Sequence, residues 1–208
     1  MTSTESEPPA LVRGVDGRRR CAWGASNADY VAYHDAEWGR PVRGDREVLE
    51  RISLEGFQSG LSWITILRKR DNFRDAFAGF DPERVAAFGR RDVGRLLGDA
   101  GIVRHRGKIE ATIANARATV ALQDRGDSLS DVVWSFAPRG RRRVPRRLGD
   151  LEAKTPESIA LSKHLLANGF RFVGPTTMYA AMQAMGLVND HLHGCHARAA
   201  CVGARNDR

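Results

Sequence analysis

Apolar side chains recur along this chain at intervals of three and four residues, and no stretch longer than a few residues alternates apolar with polar. Val48, Leu49 and Ile52 follow Asp45, a residue type that caps helix N-termini, and Ile64 with Leu67 marks a second helix. Asp81-Pro82 opens a third, carrying Val85 and Phe88, because the first helical turn has no use for the N–H that proline lacks. Val93, Leu96 and Leu97 share one face between Asp92 and Asp99. Ile109, Ile113 and Val120 predict a long helix from Lys108 to Arg125, stopped by Gly126. Thr155-Pro156-Glu157 begins another, which Asn168-Gly169 ends. The uncharged run from Phe172 to Asn189 contains Gly174, Pro175, Thr176, Thr177, Gln183 and Gly186, a composition that suits a buried helix and not a membrane span. The predicted fold is all-α, with no membrane partner.

Composition adds organisation. Residues 1–19 hold Ser, Thr, Glu and Pro with no apolar segment of signal-peptide length, and are expected to be a disordered tail. Residues 20–200 are expected to form a single domain, and 201–208 a flexible C-terminus. Pro138 to Arg147 carries six arginines and is predicted to be a solvated loop. A net charge of +8 favours a polyanionic partner, although only Lys69, Lys108, Lys154 and Lys163 among the basic residues are lysine, a bias that weakens the inference from charge alone. Three cysteines, Cys21, Cys195 and Cys201, do not make a disulfide framework, so a reducing, cytoplasmic setting is expected. Cys201 is expected to be a spare surface thiol.

Three groups of residues carry candidate chemistry. Leu54 to Trp63 brackets two glycines, Gly56 and Gly60, between the carboxylate of Glu55 and the indole of Trp63; an acid with a flat ring suits a planar cation, and equally fits a helix end followed by a core tryptophan. Asp99 to Lys108 has the character of a hairpin between helices. Gly101 and Gly107 let consecutive N–H groups face a phosphate at the next helix's N-terminus, and Arg104, Arg106 and Lys108 add charge; a tight connection without a ligand is the alternative. Cys21, His34, His191 and Cys195 form a Cys₂His₂ donor set, which predicts a closed, structural zinc site joining the two ends of the chain, with His193 and His196 as competing ligands.

With Cys21-Ala22-Trp23, Tyr33 to Gly39, Leu54 to Trp63, Ala100 to Ile109, Val133 to Phe136, Phe172-Val173-Gly174 and Gly186 to His191 in this order, the chain resembles the 3-methyladenine DNA glycosylase I family of bacterial base-excision repair enzymes. The departures are the tail before Cys21, the arginine-rich insertion and the His-rich residues after Gly194. The resemblance implies a helix-hairpin-helix fold in two helical lobes, zinc on the four residues named above, and a monomer acting on double-stranded DNA that contains alkylated adenine. It places the methylated base among Glu55, Trp63, Tyr30 and Tyr33, with Trp23 and Trp38 as further walls, and assigns the turn Gln58 to Leu61 to filling the gap in the duplex, Leu61 as wedge. The implied reaction is excision of 3-methyladenine by hydrolysis of the N-glycosidic bond, leaving an abasic site.

Chemistry agrees with that assignment. A methylated adenine carries a positive charge that bond cleavage neutralises, so the leaving group needs no strong acid, and a cation over aromatic faces gains about 0.5–2 kcal/mol. Glu55 recognises the base edge. Asp131 is the loose candidate for a general base, or else the cap of a helix over Val132 to Phe136, and catalysis is assigned to base extrusion and electrostatics. Two other classes remain: a non-enzymatic DNA-binding module, which leaves Glu55 without a role, and a zinc hydrolase, which needs an open metal position.

Overall fold

Capping chemistry and apolar spacing translate into ten helices among the residues that the computed structural model describes, 9–140 and 142–206. A short pair of strands, β1 (Leu11–Arg13) and β2 (Arg19–Cys21), precedes α1 (Ala28–Ala36), α2 (Asp45–Gln58), α3 (Trp63–Ala76), α4 (Pro82–Ala86), α5 (Arg90–Gly98), α6 (Arg106–Gln123), α7 (Leu129–Ser135), α8 (Pro156–Ala167), α9 (Pro175–Ala184) and α10 (Ala197–Asn206). Asp81 accepts from Arg84 N and Thr155 from Ser158 N, each at the helix start it was expected to cap. Gly169, at φ +87°, supplies the left-handed turn after α8. The Phe172–Asn189 run does contain a buried helix, α9, whose Met178 and Met182 are fully enclosed. No helix among the described residues is long and apolar enough to cross a membrane.

The main core spans α2 to α9. Phe57 of α2 meets Phe73 of α3 at 4.6 Å between ring centroids, and Phe77 and Phe80 extend the cluster. Ile109, Ile113 and Ala116 bring α6 onto it. A second, smaller core forms where the two ends of the chain meet, from Cys21, Leu192, Cys195 and Ala197. Glu37, just past α1, accepts from Arg51 of α2 and Arg70 of α3 at 3.0 and 2.9 Å, which fixes the α1 end against both helices.

Several expectations are corrected. The fold is mostly helical, but part of the expected tail is a hairpin: Leu11 pairs with Cys21 and Arg13 with Arg19, antiparallel, around Asp16-Gly17, a turn dipeptide whose glycine sits at φ +76°. The ordered region therefore begins before residue 20; residues 1–8 lie outside the described residues. At the other end α10 reaches Asn206, within the expected flexible terminus, and Cys201 is buried, its thiol donating to Trp38 O at 3.7 Å. The arginine-rich segment, of which Arg141 lies outside the described residues, is partly docked: Pro145 is buried, its carbonyl accepts from His193 N, and Arg142 donates to Tyr179 Oη and Asp190. Asp45 does not cap its own helix. Its carboxylate accepts from Ser128 Oγ and Ser130 N at the start of α7, whose own cap is Ser128 and not Asp131.

The correction with most consequence concerns Lys108. Its side chain turns inward, 7% exposed, and its ammonium donates to the carbonyls of Phe57 (2.9 Å) and Ser59 (2.5 Å). A helix C-terminus leaves carbonyls unpaired, and a buried cation satisfies them and complements the helix dipole. Burial lowers the Lys108 pKa, and the two carbonyls stand in for lost water.

Lys108→Met should lower the unfolding free energy by about 1–3 kcal/mol, the cost of stranding buried acceptors, whereas Arg104→Ala should stay within about 0.5 kcal/mol. Urea unfolding of both variants checks this, and equal small effects would contradict the inward role.

Candidate functional site

Asn27 starts α1 by accepting from Tyr30 N, and the helical spacing then sets Tyr30 and Tyr33 on one side. The short turn Ala22–Ala25 before it carries Trp23, and the chain leaving α1 carries Trp38. From the other side, the last turn of α2 contributes Glu55 and Gln58, and the first residue of α3 is Trp63. These side chains line one cavity of about 360 Å³, together with Ser26, Leu151, Ala180 and Gln183. Every residue expected around a base is therefore in one place. The central stretch is indeed a helix, a polar break and a second helix, but the break turns Glu55 and Trp63 toward the same space.

The walls are aromatic. Trp23 and Trp38 meet edge to face at 4.9 Å, Trp23 and Tyr30 at 5.8 Å, and Tyr33 lies 5.3 Å from Trp63. Tyr30 Oη accepts from Ile64 N, which ties α1 to the start of α3. Glu55 is 6% exposed and accepts no hydrogen bond from any described residue, and Trp63 Nε1 is likewise without a partner. Burial pushes the Glu55 carboxyl up to about 8, against the opposing pull of Arg51. Burial, and then the nearby Glu55 charge, also push the Tyr33 phenol up. Burial thus favours the neutral form of this carboxyl, and a positive charge beside it would favour the ionised one.

Behind the aromatic walls lies the Cys/His cluster. Cys21, His34, His191 and Cys195 are all buried, and their ligand atoms lie within 4.8 Å of one another. His191 Nδ1 is 3.2 Å from His34 Nε2 and 3.6 Å from Cys195 Sγ. The outward nitrogens are engaged elsewhere: His191 Nε2 donates to Trp38 O at 3.0 Å and His34 Nδ1 meets Asp35 Oδ1 at 2.8 Å, so that His191 Nδ1 and His34 Nε2 are the nitrogens that face the sulfurs. The interaction between the two thiols lowers the Cys195 pKa and raises that of Cys21. Two sulfurs and two nitrogens, buried and converging, fit one tetrahedral metal ion. His196 is no ligand of this set; it bonds Asp35, with Arg20 and His34, and against the upward pull of burial these partners hold the Asp35 carboxyl well below the usual range. His193 is exposed. A Cβ on Gly24 would fall 2.3 Å from His34 Cδ2, so only glycine lets the Trp23 turn lie on this histidine. Trp38 in turn packs on His191 at 4.7 Å.

The connection from α5 to α6 spans 99–105. Asp99 accepts from Gly101 N, Lys69 donates to the carbonyls of Ala100 and Gly101, and the His105 ring caps α6 by accepting from Lys108 N. Arg104 faces solvent; Arg106 is also outside, paired with Glu110 one turn on. Gly107 lies in the first turn of α6, and Leu61 stands 41% exposed on the turn after Gln58, where Gly60 adopts φ +81°. Asp131 is exposed and lines no part of the cavity. Ser26, Leu151 and Ala180 carry no sequence signal for a site, whereas Gln183 stands out as a polar residue in an apolar run; its amide donates to Asp190 at 2.9 Å.

Residues 23–199 match the family described as methyladenine glycosylase. The chain is 50% identical over 177 residues to DNA-3-methyladenine glycosylase 1 of Escherichia coli strain K12, covering 85% of this chain and 95% of that protein. It is similar to a crystal structure of 3-methyladenine DNA glycosylase I, with a TM-score of 0.82, 50% identity and coverage of 85% and 98%. A Staphylococcus aureus 3-methyladenine DNA glycosylase I, solved for the structural basis of 3-methyladenine recognition, aligns with a TM-score of 0.81 at 33% identity, covering 86% and 96%.

The buried Glu55 fixes a pH dependence of stability. From about 4.5, where the unfolded carboxyl loses its proton, to about 8, where the folded one does, the folded state binds the extra proton, so stability falls as pH rises and levels off above. Glu55→Gln has no such proton to lose, and its stability advantage over the wild type should grow across that window. Denaturant titrations of both proteins across it measure the difference; parallel curves would contradict the buried, raised carboxyl.

Proposed function

Because this chain belongs to the methyladenine glycosylase family, we propose that it is a DNA-repair glycosylase that excises 3-methyladenine from alkylated DNA through the Glu55 pocket. The observation that carries the reading is an unpaired, buried carboxyl in an aromatic cavity of base size. A methylated adenine brings the positive charge that Glu55 lacks a partner for, stacks against Trp63 and Tyr33, and offers edge donors to the carboxylate. A neutral base gives Glu55 no reason to ionise. On cleavage the bond electrons pass from the sugar C1′ to the departing base, which becomes neutral; the sugar takes on oxocarbenium character and captures water, whose proton leaves to solvent. No residue needs to protonate the leaving group, which fits the exposed, distant Asp131. The enzyme is monofunctional in this reading, since no lysine lines the cavity among the described residues.

In the same reading α5 and α6 are the helix-hairpin-helix, and the main and terminal cores are its two lobes. Gly101, Arg104, Arg106 and Gly107 meet the phosphate backbone of double-stranded DNA from a monomer in the cytoplasm, while Gln58 and Leu61 fill the vacated stack. Lys108 serves from within. The Cys21–His34–His191–Cys195 set holds zinc, which supplies a cross-link between the chain ends and no reaction step. Four protein ligands leave no open position, which argues against a zinc hydrolase.

The deciding assay is release of free 3-methyladenine from alkylated duplex DNA. The wild type should release it and Glu55→Gln should lose about tenfold or more in rate, as expected for a charge-assisted contact; binding of duplex with no base release would favour a non-enzymatic DNA-binding module.

For the metal, Cys195→Ser should lower bound zinc and the melting temperature together, and a chelator should destabilise the wild type more than the variant. A metal-free protein of unchanged stability would remove zinc from the account.

A further inference from the structure

Three non-glycine residues among those described have a left-handed backbone: Ala78, Phe80 and Phe172. Such a conformation strains a bulky L-residue, and it persists only where the surroundings impose it. For Ala78 and Phe80 the reason is packing, since both lie in the tight turn between α3 and α4, and Phe80 is fully buried in the phenylalanine cluster. Phe172, at φ +55°, has no such reason. Its side chain is 43% exposed.

What imposes the conformation is Asn115 of α6, a side chain 3% exposed that grips the preceding residue from both sides, accepting from Arg171 N at 2.7 Å and donating to Arg171 O at 3.1 Å. The ring is delivered to a particular spot. A Cβ on Gly56 of α2 would stand 3.6 Å from Phe172 Cβ, one on Gly107 of α6 would stand 3.8 Å from Phe172 Cε2, and the His105 ring lies 6.3 Å away. Phe172 therefore emerges between Gly107, in the first turn of α6, and the helix that carries Glu55. Arg104, Arg106 and Arg171 are exposed around it. Glu110, the carboxylate nearby in sequence, is bonded to Arg106.

We propose that Phe172, braced by Asn115 between the hairpin and the end of α2, is a second apolar contact to the damaged duplex, its ring lying against the face of a base exposed when the methylated nucleotide leaves the stack. The inference rests on the glycosylase reading and adds to it a contact on a different segment from the Leu61 turn. An exposed ring beside phosphate-binding groups gains stacking on any base, so the contact is indifferent to sequence and selective for disrupted stacking.

The test compares two duplexes, identical except that one contains a stable abasic-site analogue, in equilibrium binding to the wild type, Phe172→Asn and Phe172→Ala. Asparagine tolerates the left-handed backbone, so that variant keeps the path of the loop while removing the ring; Phe172→Ala, read the same way, serves if the asparagine variant does not fold. Expected is a loss of about tenfold on the gapped duplex and at most about twofold on the intact one, with affinity for free 3-methyladenine unchanged. No loss, equal loss on both duplexes, or a parallel loss of free-base affinity would overturn the contact while leaving the glycosylase reading intact. A wild type that neither releases 3-methyladenine nor prefers the gapped duplex would overturn both.

Discussion

A single buried ammonium ties the start of α6 to the end of α2. Lys108 belongs to the first turn of α6, immediately after the hairpin, and its Nζ is bonded to the carbonyls of Phe57 and Ser59, on either side of Gln58. Two residues before Phe57 is Glu55; two after Ser59 is Leu61. The α5–α6 connection, the aromatic cavity and the turn from Gln58 to Leu61 are therefore joined through one side chain, with Asn115 fixing the Phe172 segment to the same helix. Among the described residues no carboxylate pairs with this lysine. Main-chain dipoles at a helix C-terminus do the work instead, a weaker attraction than an ion pair and one tied to a fixed geometry.

The pocket has the complementary character. Its carboxyl is buried with no ion pair among the described residues, and burial outweighs the pull of Arg51 to favour the protonated form. In the proposed reading a cationic base supplies a positive charge beside that carboxyl, so selectivity arises as a difference in electrostatic solvation and not only as shape. The aromatic walls contribute area to any purine; the carboxyl tells charged from neutral.

Much of this was legible in the sequence, and the gaps have physical causes. Helices announce themselves through apolar spacing and caps such as Asp81 and Thr155, and the type of Cys21, His34, His191 and Cys195 points to their convergence before any fold is known. Direction is what spacing does not encode. Lys108 in a basic hairpin has the composition of a surface cation, and only the carbonyls arriving from α2 turn it inward. Asp45 has the position of a cap and serves the neighbouring helix α7. The Asp16-Gly17 turn was hidden by the polar composition around it, and Cys201 by being on a helix whose packing on Trp38 involves a distant segment. Leu151 and Ala180 enter the cavity through tertiary placement alone.

The Cys/His cluster also has a temporal side. Two of its members are near the start of the chain and two near the end, and Trp23 and Trp38 rest on its histidines. During synthesis the N-terminal cysteine and histidine leave the ribosome long before His191 and Cys195 exist, so the helices from α2 to α9 can pack first. The aromatic walls receive their backing last. A chain that ended before His191 would lack both the imidazole on which Trp38 rests and the second cysteine of the cluster, so the last residues to be made complete the backing of the first aromatic ones.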